Sequence, residues 1–107
     1  MRISPVRGYD SFILSLSMES PPPSVSSALE ALWLVEKGHW QKAHDLVSTI
    51  KGQDGAQLHA YLHRVEGDLE NASHWYHRAS QPVFKGTLRD EWKMLVEKHL
   101  SFSASGI

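Results

Sequence analysis

Hydrophobic residues recur along most of this chain at intervals of three or four, which is the spacing of an α-helix with one buried face. Glycine, proline and small polar residues interrupt the pattern and divide it into segments. The segments predict five helices and no strand. The five predicted helices span about residues 24–37, 39–51, 56–66, 69–80 and 87–100.

The first predicted helix is apolar on most of its circumference. Leu32 lies on one side and Leu34 on the other, a distribution typical of a helix held between neighbours. Ser24 and Ser27 are both suitable N-caps. Gly38 follows the last periodic residue and supplies the left-handed conformation that a tight helix end requires.

A short pattern occurs twice. Residues 38–43 (GHWQKA) and 67–72 (GDLENA) align at an offset of 29 residues (67 − 38 = 29). The glycine is predicted to reverse the chain between two helices, and the alanine to let them approach closely. A period in this range is typical of stacked helical hairpins. We therefore expect Gly38 and Gly67 at inter-helix turns, and Ala72 at the closest contact of the second hairpin.

The pattern resembles the tetratricopeptide class, and residues 72–79 (ASHWYHRA) resemble its Sel-like branch. The chain is most similar to a group of small all-α bacterial proteins with the motif HAYLHR-x-EGD-x-x-NA-x-x-WY-x-RA, over roughly residues 28–100. The offset is shorter than the usual tetratricopeptide period of about 34 residues, and only two units are present. The resemblance implies an all-α fold of two antiparallel, tetratricopeptide-like hairpins with a C-terminal capping helix, and it implies no activity.

The ends of the chain differ from this central region. Residues 24–100 form the predicted helical-repeat domain, and residues 101–107 a flexible tail. Residues 1–23 are expected to be disordered or loosely docked, because their apolar stretch, residues 12–16, is short and contains serine. The stretch is too short for a signal peptide. Met18 is an alternative start of the protein.

Composition excludes several classes of function. The 107 residues carry a formal net charge of −1, so the chain has no basic excess to hold a nucleic-acid backbone. No apolar run approaches the roughly 20 residues that a membrane span needs. The chain has no cysteine, which leaves no disulfide or thiolate metal site and fits a cytoplasmic location.

Seven histidines are many for a chain of this length. His59 and His63 are four residues apart on the third predicted helix, so their side chains leave the same flank, and Glu66 joins it. His44 lies at the edge of the second helix and is predicted to face this flank. Imidazole and carboxylate donors suit zinc or another divalent transition metal. The spacing matches no established metalloenzyme motif, and histidines at such positions are more often packing residues.

Other polar residues complete this hypothesis. Glu30 and Glu36 are further oxygen donors for the flank. His74 and His77 lie opposite the core stripe of the fourth predicted helix, so we expect them to be exposed. The four tryptophans fit core spacing better than a cofactor role.

Two functions follow from the sequence. The favoured one is a protein- or peptide-interaction module with no cofactor, since stacked hairpins present a concave surface. The alternative is a metal-binding protein or metal-dependent enzyme that uses His44, His59, His63 and Glu66. A chain this small has space for only a shallow pocket, which argues against catalysis. Convergence of the four side chains on one point would favour the alternative.

Overall fold

The structure, a computed structural model, describes the backbone of residues 8–105 and the side chains of residues 8–101. The tail predictions for residues 1–7 and 106–107 lie outside the described residues. The described residues form six helices and no strand, which confirms the predicted all-α fold class, although five helices were predicted. The helices are α1 (Tyr9–Ser15), α2 (Ser27–Glu36), α3 (Trp40–Val47), α4 (Gly52–Val65), α5 (Leu69–Arg78) and α6 (Leu88–Ser105).

Helices α2 and α3 form the first hairpin. Gly38 joins them with a φ of 89°, a left-handed conformation that favours glycine. The Gly38 N–H donates to the Val35 carbonyl, and the His39 N–H donates to the Leu34 carbonyl. These two bonds are the Schellman arrangement, which satisfies carbonyls at the end of a helix.

Helices α4 and α5 form the second hairpin, and its turn has the same hydrogen bonds. Gly67 has a φ of 88°. Its N–H donates to the Arg64 carbonyl, and the Asp68 N–H donates to the His63 carbonyl. Both glycines therefore lie at inter-helix turns, as the sequence predicts.

The main core surrounds α2. Six of its ten residues are buried, which confirms that this helix is held between neighbours. Helix α6 packs across α2 and α4, and the Trp92 indole N–H donates to the Leu32 carbonyl, 2.9 Å away. A second, smaller core of Ala60, Ala72 and Tyr76 lies between α4 and α5.

Helix α1 corrects the expectation of a disordered or loosely docked N-terminal tail. Phe12 is fully buried in the main core, with its ring centroid 5.9 Å from that of Trp92. The Trp33 indole donates to the Ser15 carbonyl, and the Lys37 ammonium donates to the Leu16 carbonyl. These partners are distant in sequence, so the short apolar stretch alone gives no sign of them.

Several helix ends also differ from the prediction. Ser26, rather than Ser24 or Ser27, accepts the capping bond of α2. Helix α3 ends at Val47, four residues before the predicted end at residue 51, and α6 runs to Ser105 rather than to residue 100. Helix α4 begins at Gly52, four residues before the predicted start at residue 56, so the glycine-rich segment 52–55 forms its first turn.

Several large apolar residues are exposed. Leu69 is 66% exposed, because α6 packs on α2 and α4 and leaves this face of α5 uncovered. Leu88 and Val83 are 39% and 44% exposed. Phe84 does pack on the small core of Ala60, Ala72 and Tyr76.

Candidate metal centre

Three histidines from the two hairpins converge. His44 lies on α3, and His59 and His63 lie one turn apart on α4. The ring centroids are 5.0 Å apart for His44 and His59, 5.6 Å for His44 and His63, and 6.2 Å for His59 and His63. One ring nitrogen from each residue lies within 4.8 Å of the other two. We call these residues the histidine triad.

The triad is largely shielded from water. His59 and His63 are 8% and 6% exposed, and His44 is half-buried. Two tryptophans form its walls. Trp40 stacks on His44 with centroids 4.9 Å apart, and Trp75 stacks on His59 at 4.1 Å.

Trp40 is fixed in turn by α4. Its indole N–H donates to the Leu62 carbonyl at 2.8 Å. The ring edge also meets the His63 ring, with centroids 5.9 Å apart. This tryptophan was predicted as a core residue, but its position four residues before His44 on one helix face could have indicated the stacking. No sequence pattern indicates that Trp75 covers His59.

His59 is a neutral base in this setting. Its pKa is lowered from 6.5 to about 4, mainly by burial and to a smaller extent by the nearby charges of His44, His63 and Arg78. Its Nδ1 is buried and has no hydrogen-bond partner among the described residues. A buried polar atom without a partner is unfavourable and calls for a physical reason.

Glu66 contacts the triad from outside it. Its Oε2 lies 2.6 Å from the Nδ1 of His63, so the carboxylate orients that ring. Nε2 is the nitrogen of His63 that Glu66 does not contact. The sequence predicted Glu66 as a ligand beside the histidines; the structure places it as a partner of His63. Glu66 and Asp68 form a second candidate group with His63. Both carboxylates are exposed, and Asp68 already caps α5 by accepting from the Asn71 N–H.

The other predicted donors lie elsewhere. Glu36 is paired with Arg89, 3.8 Å away, towards α6, and Glu30 belongs to neither of the candidate metal groups found among the described side chains. His74 and His77 are exposed on α5, as predicted.

A buried ionic network was not predicted from the sequence. Glu91 on α6 is fully buried. It accepts from the Arg64 guanidinium at 2.6 Å and from the Tyr76 hydroxyl. Burial and the bond to Glu91 raise the pKa of Tyr76. The network joins α6 to both helices of the second hairpin, and all its polar groups are engaged, so we interpret it as structural.

Comparison with known proteins gives no further guide: no family model, no curated protein and no solved structure matches this chain. The tetratricopeptide-like classification therefore stays a prediction from the sequence. Within the described residues, no helix has the length and apolar character needed to cross a membrane.

Proposed function

We propose that this protein binds one divalent transition-metal ion, with zinc as the first candidate, through a ring nitrogen from each of His44, His59 and His63. The observation that supports the proposal most is the convergence of these nitrogens to within 4.8 Å across two hairpins. Neutral imidazole is a common zinc ligand, and three protein ligands leave one coordination position open.

The environment of the rings supports the same proposal. His59 is neutral at neutral pH because its pKa is about 4, so one of its ring nitrogens has a lone pair available for a metal. Glu66 holds His63 as carboxylates hold metal-binding histidines in many proteins, by fixing the ring orientation. The unpartnered Nδ1 of His59 is also accounted for if the ring belongs to a binding site.

Metal binding would tighten the triad. Nitrogens at about 2.0–2.1 Å from a tetrahedral zinc ion lie roughly 3.3 Å from one another. The three nitrogens lie within 4.8 Å of one another, so the rings need to approach by at most about 1.5 Å, which small side-chain rotations can supply. Because Trp40 and Trp75 stack on two of the rings, tryptophan fluorescence should report this movement.

The proposal concerns binding and assigns no reaction. A metal-dependent enzyme at the same residues stays a prediction, as does the protein- or peptide-interaction role first favoured by the sequence. The cytoplasmic location likewise stays a prediction.

Calorimetric titration of the untagged protein with zinc tests the proposal. We expect a one-to-one isotherm for the wild type, a large loss of affinity in His44→Ala, and no specific binding in His59→Ala/His63→Ala. His44 is half-buried, so its removal should leave the fold intact by circular dichroism.

The matched control is His74→Ala/His77→Ala, which removes two exposed histidines from α5. This variant should bind zinc as the wild type does. Wild-type protein that binds no zinc, or a control variant that loses the binding, would contradict the proposal.

A further inference from the structure

An open pocket of about 480 Å³ lies beside the triad. His59 and Trp75 form one side of it, and Gly52, Gln53 and Gly55 of the first turn of α4 contribute to another. The acidic residue of this turn, Asp54, does not line the pocket and is paired with Lys98, 3.1 Å away. Lys51 and Arg78 also line the pocket. A water molecule occupies about 30 Å³ in the liquid, so this volume exceeds what a single phosphate or carboxylate group requires.

The pocket is positively charged. Lys51 and Arg78 supply two cations, and none of the described residues that line the pocket carries a carboxylate. Lys51 is exposed and forms no ion pair with any described residue. The Arg78 guanidinium lies over the Trp75 ring, 4.7 Å from its centroid, so it is held at the edge of the pocket.

The helix that opens into the pocket adds to this charge. Helix α4 has 14 residues, and its N-cap, Lys51, provides no side-chain hydrogen bond to the first turn. The N–H groups of a first helical turn lack intrahelical partners. They carry a partial positive charge and are suited to anions.

His59 connects this pocket to the triad. Its side chain is more than nine-tenths buried, its Nδ1 has no partner among the described residues, and the ring lines the pocket. A ligand in the pocket would therefore lie next to a metal ion held by the triad.

We infer that the pocket binds a small oxyanion, a phosphate or carboxylate group, beside the metal ion. Lys51, Arg78 and the first turn of α4 hold its charge. The inference rests on the proposed metal binding, because the two charges should stabilise each other. By linkage, the metal raises the affinity for the anion as much as the anion raises the affinity for the metal.

The experiment titrates inorganic phosphate, and in a second arm malonate, into metal-free and Co²⁺-loaded protein. Calorimetry gives the affinities, and the visible spectrum of Co²⁺ reports changes in its coordination. We expect at least one of the two anions to bind the loaded protein about tenfold more tightly than the metal-free protein. The anion that binds more tightly is the preferred oxyanion.

Two variants test the residues. Arg78→Gln and Lys51→Gln should each weaken anion binding roughly tenfold. Lys51→Gln should leave Co²⁺ binding without added anion as in the wild type. Lys51→Gln serves as the safer variant because Lys51 is exposed and packs on no ring. Lys42→Gln, which removes an exposed cation from α3, should change neither affinity.

The possible failures are distinguishable. If Co²⁺ does not bind, the proposed metal site and the predicted coupling are both wrong. Phosphate titration of the metal-free protein then tests separately whether the pocket binds an oxyanion. Co²⁺ that binds normally while neither anion binds overturns the inference and leaves the metal site in place. Anion binding that is unchanged in both Arg78→Gln and Lys51→Gln also overturns it.

Discussion

At the scale of single residues, His59 shows how burial acts on an ionisable group. Its pKa is 6.5 in a solvated chain and about 4 in the fold. Between these values the unfolded chain binds more protons than the folded protein, so the free energy of unfolding decreases as the pH falls. We predict that the metal-free protein loses this contribution progressively from about pH 6.5 towards pH 4.

Urea unfolding at about pH 7.5 and about pH 4.5 measures the effect. Other groups also titrate in this range, so the wild type is compared with His59→Gln, which cannot accept the proton. The stability difference between the two pH values should be smaller in His59→Gln, whereas the exposed control His77→Gln should match the wild type. Parallel pH profiles of stability for the wild type and His59→Gln would show that folding does not lower the pKa of His59.

Glu91 is a second residue whose effect follows from burial. Glu91→Gln removes the negative charge that faces Arg64 and leaves a cation with a weakened partner inside the protein. We expect a loss of about 3 kcal/mol in the free energy of unfolding. Chemical denaturation measures it. Glu97→Gln, at an exposed position of the same helix, should cost less than about 0.5 kcal/mol, and an equal cost for both would contradict the structural role of the network.

At the scale of helices, the close contact of α4 and α5 depends on small residues. Ala60 and Ala72 are fully or almost fully buried between the two helices. Ala72→Leu adds three heavy atoms to this contact, and we expect overpacking to cost about 1–3 kcal/mol. Thermal melts of the variant and of the exposed control Ser73→Leu provide the test. An unchanged midpoint for Ala72→Leu would mean that the helices separate without cost.

The helices and hairpin turns were predictable because their determinants are local. Spacing of apolar residues identifies the helices, and Gly38 and Gly67 mark turns that only a left-handed residue forms easily. The glycines of α4 misled the prediction for a physical reason. A side chain at residue 55 would place its Cβ 1.9 Å from the Ile50 carbonyl oxygen, so that glycine serves close backbone approach rather than a turn.

At the scale of the whole molecule, helix α1 is part of the core. Phe12 is fully buried against α6, although the sequence predicted a disordered or loosely docked tail over residues 1–23. Phe12→Ala should therefore cost about 3–5 kcal/mol. Leu14→Ala, on the same helix at 74% exposure, should cost less than about 0.5 kcal/mol. Similar small costs for both, measured by denaturant unfolding, would show that α1 does not contribute to the core.

The candidate site was partly predictable from sequence. The four-residue spacing of His59 and His63 follows from helix geometry, and His44 was placed near them by the hairpin arrangement. The stacking of Trp75 on His59 and the cationic pocket beside it depend on how the second hairpin packs on the first. Such contacts join residues that are distant in sequence, so no local pattern encodes them.

Crystals of the protein grown with one equivalent of zinc provide a direct test of the proposed metal binding. Anomalous scattering at the zinc absorption edge locates the ion without reference to any assumed site. We predict one strong peak, about 2.0–2.1 Å from a ring nitrogen of each of His44, His59 and His63. A zinc ion bound instead by His63, Glu66 and Asp68, or no peak at the triad, would contradict it.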